Sequence, residues 1–150
     1  MTGDDRPEPH PGTEVLEEIP EEECLALLAA HSVGRVVFVD HEGQPGAVPV
    51  NYVLDGRTVA FRTDPGTKLD SSVLGKVAFE IDGIDELYRE GWSVLVTGVG
   101  REITDAIDRW SERVRSHRLY PWASGAKEHW IAIATPSFSG RRIRHSGVGD

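Results

Sequence analysis

Apolar residues recur along this chain mostly at every second position, in short runs broken by glycine, proline and aspartate, and only twice at helical spacing. Alternation of period two is the mark of a half-buried strand. Residues 35–40 read as a strand, closed by the turn-like His41-Glu42-Gly43. Residues 47–54 form a second, with Val48, Val50, Tyr52 and Leu54 on one face and Pro49, Asn51 and Val53 on the other. Asp55-Gly56, a strong hairpin signal, leads into a third at 57–63. Pro65-Gly66 breaks the pattern and a helical turn is expected at 68–74. Val77, Phe79 and Ile81 then mark a fourth strand, 92–103 a fifth, and 129–134 with 138–144 one or two closing strands.

The helical stretches are shorter. Pro20 before Glu21, Glu22 and Glu23 suits a helix start, where a missing N–H costs nothing and acids meet the positive end of the dipole. That helix runs to Ala30 with Leu25, Leu28 and Ala29 inward. Residues 105–117 form a second, with Ile103, Ile107, Trp110 and Val114 as its apolar stripe. Many short strands, hairpin turns and few helices predict a mainly β fold: a six- to seven-stranded antiparallel barrel with two or three peripheral helices.

Charge refines this picture. The net charge of −9 over 150 residues sits almost wholly in residues 1–23, which hold nine acids against Arg6. The remainder is close to neutral and offers no field for nucleic acid or an anionic membrane surface. Residues 1–15, acidic and Pro-rich, bury too little to offset their ordering entropy and are expected to form a disordered tail, leaving 16–150 as one domain. A single cysteine, Cys24, excludes an internal disulfide framework. Neither a basic-then-apolar leader nor a run of about 20 apolar residues is present, so a cytoplasmic location is expected.

The stretch richest in chemistry is Phe61-Arg62-Thr63-Asp64-Pro65-Gly66-Thr67-Lys68. Arg62 offers a bidentate fork to a phosphate, Thr63 and Thr67 offer hydroxyls, and Lys68 a point charge at the start of a helical turn. A charged loop with solvated Arg and Lys fits the same spacing equally well. It is not a Walker loop, because Thr67 separates Gly66 from Lys68. Gly98-Val99-Gly100 lies within a strand and lacks the third glycine and following helix of a dinucleotide fingerprint. The six histidines show no metal-ligand spacing, so no metal is expected. Ser124-Gly125 and Ser139-Gly140 lack a nucleophile-elbow context, and Cys24 is expected to pack on the first helix.

From about Pro20 to His145 the chain resembles the pyridoxamine 5′-phosphate oxidase-like flavin-binding split barrels. The likeness is carried by residues 23–28, Gly34-Arg35-Val36, 47–52, 61–68, 91–98, Pro121-Trp122-Ala123 and 139–143, in that order. The resemblance implies a split barrel that binds FMN between two subunits of a homodimer. Pro49, Val50, Asn51 and Tyr52 would lie along the isoalloxazine edge, Arg62, Thr63, Thr67 and Lys68 would hold the phosphate, and Trp92 and Ser93 would approach from the second subunit. A packed small barrel leaves no interior room for a tricyclic ring, which gives dimerisation a physical reason. The C-terminal Arg142-Ile143-Arg144-His145 does not reproduce the Arg and His spacing of pyridoxamine 5′-phosphate oxidase proper, which argues against vitamin B6 phosphates as substrates.

The expectation is therefore a flavin-dependent oxidoreductase acting on a small-molecule substrate, with a nicotinamide reductant. The flavin supplies hydride chemistry, no catalytic residue is assigned, and Tyr52 and Asn51 are the polar groups placed to assist. FMN is favoured over a deazaflavin coenzyme, whose acidic tail would need more bases than Arg141 and Arg142; Arg141, Arg142 and Arg144 read otherwise as solvated strand-edge charges. A non-catalytic flavin or haem carrier is the alternative from another class, and a barrel retaining only its dimer contacts is a third. Substrate specificity would rest on loops 82–90 and 117–127.

Overall fold

The computed structural model describes residues 14–119 and 128–145. Among them the elements run β1 (Glu14–Ile19), α1 (Glu21–Ala30), β2 (Val33–Val39), β3 (Pro45–Asp55), β4 (Thr58–Thr63), α2 (Lys68–Ser72), β5 (Gly75–Asp85), β6 (Glu90–Glu102), α3 (Arg109–Arg115) and β7 (His129–His145). The strands form one antiparallel sheet in the order β1-β7-β4-β3-β2-β5-β6. Because β6 also pairs with β7, six strands close into a barrel and β1 is added beside them. This is the mainly β architecture that the alternation predicts.

The period-two faces point as expected. Val36 and Phe38, Val50 and Tyr52, Val59 and Phe61, Val77, Phe79 and Ile81, Val94 and Val96, and Ile131 and Ile133 all turn into one core. Each such side chain contributes roughly 1.5–3 kcal/mol on burial. Gly34 is needed because the Phe79 ring crosses the β2 backbone: a Cβ there would lie 2.2 Å from Phe79 Cζ. Gly56 takes the left-handed φ of +59° in the β3–β4 hairpin, as the Asp-Gly signal requires. A smaller cluster sits outside the barrel, where Ile103 and Val114 cover Ala60 and Ala132, with Trp110 and Trp130 at its rim.

Several details depart from the sequence reading. Pairing begins at Glu14, inside the stretch expected to be tail, because Glu14 to Ile19 lie in register with His145 to Gly140 of β7; residues 1–13 lie outside the described residues. On α1 the buried side chains are Cys24 and Leu28, while Ala29 faces solvent. α3 starts late because Asp108 caps it, accepting from the Ser111 amide at 2.8 Å and from the Ser111 hydroxyl. Ile107 is consequently outside the helix and 90% exposed. Residues 82–90, expected as a loop, mostly extend the β5–β6 ladder, which continues to Asp85↔Glu90. The closing segment is one bent strand, with a register shift opposite Thr97/Val99 and a positive φ at Thr135. The expected loop of 117–127 falls largely outside the described residues.

Candidate functional site

The barrel is split beside β3. Its pairing with β4 covers only Tyr52 to Asp55, whereas its pairing with β2 runs from Pro45 to Asn51. Among the described residues, 45–50 therefore have a strand neighbour on the β2 side alone, which leaves a gap in the ladder on their other edge. The turn from β4 into α2 lies across this gap: the Lys68 ammonium stands 2.8 Å from Asp40 at the end of β2. The Lys68 side chain is 68% exposed, while the hydrogen bond from Lys68, followed by those from the Gln44 and Glu42 amides, holds the Asp40 carboxyl below the ordinary range.

The turn itself is built around its own carboxylate. Asp70 accepts from the Thr63 hydroxyl at 2.7 Å and from the Gly66 amide at 3.1 Å, and contacts His129 Nδ1 at 3.0 Å. Burial pushes Asp70 up, but Thr63, His129 and the Gly66 amide outweigh it and keep the group acidic. Thr67 caps α2: its hydroxyl donates to the Asp64 carbonyl at 2.8 Å and accepts from the Asp70 amide at 3.2 Å. Thr63, buried, and Thr67 thus spend their protons inside the loop, contrary to the expectation that both serve an external anion. The Thr-x-x-Asp pattern at 67–70 is a capping-box signature that points to Asp70.

The other anticipated residues divide. Arg62 lies on the outer face of β4 with its guanidinium 5.7 Å from the Trp130 ring centre, so it and Lys68 engage different partners. Pro49 is exposed and Asn51 half-buried on the outer face of β3, while Val50 belongs to the core. Tyr52 corrects the sequence reading most clearly. Its hydroxyl donates to the Leu28 carbonyl at 2.6 Å, its ring packs edge-on against Phe79, and burial drives its pKa far up. It is a core residue.

Trp92 and Ser93 lie on β6, opposite Arg142 and Arg141 of β7. On β7, Arg62 is opposite Trp130 and Trp92 opposite Arg142, near the two ends of a strand that bends round the barrel. Trp92 packs against His31 at 5.1 Å and walls a cavity of about 360 Å³ with Gly83, Glu90 and Arg142. Ser93 faces the opposite side, on a groove of about 650 Å³ with Leu16, Leu95, Ser139 and Arg141. Arg142 pairs with Glu23 and Arg144 with Glu17, which ties the last strand to α1 and β1. Neither is simply a solvated edge charge.

Two groups escaped the sequence reading. On the outer face of β5, burial and then Asp82 push Glu80 up to about 7. Its Oε1 has no hydrogen bond among the described residues, and the Arg35 guanidinium is 3.7 Å away while it binds Asp82 at 2.9 Å. His129 is the second, held between Asp70 and Glu102.

A family model described as pyridoxamine 5′-phosphate oxidase matches residues 20–142. The Mycobacterium tuberculosis protein Rv0080 is 35% identical over 150 residues, covering 94% of this chain and 93% of its own. Among solved structures, an FAD-binding protein from Mycobacterium smegmatis superposes with a TM-score of 0.71 at 35% identity, over 85% of this chain and all of that one. An FAD-binding protein from Mesorhizobium loti shares the fold, with a TM-score of 0.67 at 24% identity over 85% of this chain and 98% of its own.

Proposed function

The chain belongs to the pyridoxamine 5′-phosphate oxidase family, and from that premise we propose that it binds a flavin nucleotide in a cleft completed by a second copy and transfers hydride through it. The observation that carries this is the likeness, at 35% identity over the whole of the neighbour, to a protein that binds FAD. The gap beside β3 fits the role. Strand residues 45–50 border it on one side, and an accessible ammonium, Lys68, stands across it for an anionic terminus. FMN is the smaller nucleotide that this arrangement suits, and FAD the form that the similar structure supports.

The spread of Trp92 and Ser93 from the turn supports the two-subunit reading. They stand near the other end of β7, and a two-fold copy can set that end of one barrel beside the gap of the other. When bound, a flavin supplies the redox chemistry. This chain's residues would hold its phosphate through Lys68, with Arg62 and Trp130 flanking the end of β4.

Absorbance and fluorescence titration with FMN, FAD, riboflavin and a deazaflavin coenzyme tests the reading. The expected result is saturable flavin binding and bleaching on anaerobic addition of NADH or NADPH. Failure of every flavin to bind overturns it; binding without reduction by any reductant leaves a carrier. Lys68→Ala is expected to weaken FMN about tenfold and riboflavin little, because only the former presents a phosphate to a charge. Equal losses would remove Lys68 from the site.

A further inference from the structure

We propose that His129 is a positioning residue: acting through Asp70, it sets the 63–70 turn and thereby couples that turn's capacity to hold an anionic terminus to the charge of the imidazole. The inference rests on the flavin reading above for the identity of the anion, but not for the coupling itself.

The geometry carries it. Asp70 is the hub of the turn, bound to the Thr63 hydroxyl, the Gly66 amide and His129, and its own amide is held by the Thr67 cap. His129 sits at the first position of β7, opposite Thr63 in the β4–β7 ladder, so the ring reaches Asp70 from a rigid strand. Its Nδ1 lies 3.0 and 3.1 Å from the two Asp70 oxygens, and its Nε2 lies 3.5 Å from Glu102 at the end of β6. Carboxylates on opposite edges of one imidazole call for protons on both nitrogens. Among the described residues, the charged groups that act on the ring are acids: Asp70 from α2, Glu102 from β6 and Asp105 from the turn after it. The hydrogen bond to Asp70, ahead of the opposing effect of burial, raises the His129 pKa.

Charge then decides what the turn tolerates. With His129 protonated, the Asp70 charge is compensated, and Lys68, whose exposed ammonium also meets Asp40, stands in a turn with no net charge at its centre. Once His129 loses its proton, an uncompensated carboxylate occupies the centre of the turn and repels a phosphate dianion. Free phosphate monoesters are already dianionic above pH 7, so any loss of affinity between pH 7 and 9 belongs to the protein. The ratio of riboflavin to FMN dissociation constants isolates the phosphate contribution.

That ratio is expected to fall roughly tenfold from pH 7 to 9 in the natural chain, the change equivalent to one pKa unit of coupling. In His129→Gln it should be low and flat, and in Asp70→Asn flat. A natural-chain ratio that does not move, or one that moves equally in His129→Gln, overturns the proposal. A ligand-free measurement separates this from failure of the flavin reading. The Gly66 amide resonance should titrate with the His129 ring, at a midpoint above that of an ordinary histidine, and lose that titration in Asp70→Asn. If no flavin binds but Gly66 follows His129, the cofactor assignment falls and the coupling stands. If Gly66 ignores His129, the coupling falls.

Discussion

Tyr52 and Glu80 show how far one residue's role depends on what lies across the sheet from it. The Tyr52 hydroxyl satisfies a carbonyl of α1 within the core. Tyr52→Phe should therefore cost about 1 kcal/mol in denaturant unfolding, with flavin affinity unchanged. Glu80 has the opposite economy. Its folded-state pKa of about 7 lies above the ordinary carboxyl value, so its contribution to stability is complete below the unfolded pKa and lost as pH rises through 7. Glu80→Gln keeps the protonated shape without the charge. Its stability should exceed that of the natural chain by about 1–2 kcal/mol at pH 8, and the gap should close toward pH 5 in thermal melts. A gap that widens on acidification would contradict the assignment.

At the scale of elements, what could be read from the sequence was what local pattern encodes. Alternating strands such as Val77-Ala78-Phe79-Glu80-Ile81 and the Asp55-Gly56 turn announce themselves because one face is buried and the turn needs glycine. β1 is illegible in the sequence, since Glu14 and Val15 fall in the acidic stretch read as tail and Leu16-Glu17-Glu18 carries no strand signal until Arg142 and Arg144 are placed nearby, with Arg144 pairing to Glu17. α3 was overextended because its apolar spacing continues past a cap that only Asp108 sets. For the site, the 61–68 stretch was recognisable as a concentration of donors, but the partner that consumes them was not. Asp70 lies just beyond that stretch and His129 at the far end of the chain. One contact of the β6 backbone is testable directly. A Cβ on Gly100 would stand 1.8 Å from the Val73 carbonyl oxygen. Gly100→Ala should thus cost about 2–3 kcal/mol, in the range of overpacked sites, read as a lowered denaturation midpoint.

At the scale of the molecule, the outer surface of the β2–β5–β6 wall carries Val37, Val39, Leu95 and Val99, each more than a third exposed. Under the proposed two-subunit cleft, sedimentation should give twice the chain mass, and flavin affinity should fall when dilution drives the species to single chains. Affinity indifferent to dissociation would confine the site to one barrel. The pairing of the first described strand with the last has a consequence for biosynthesis. β7 is a neighbour to β4, β6 and β1 at once, so the cylinder cannot be sealed, nor β1 docked, until residues 129–145 are in place. Such high contact order makes folding slow. A chain truncated before His129 should emerge with both ends unzipped, losing at one stroke the seam and the segment laid beside it.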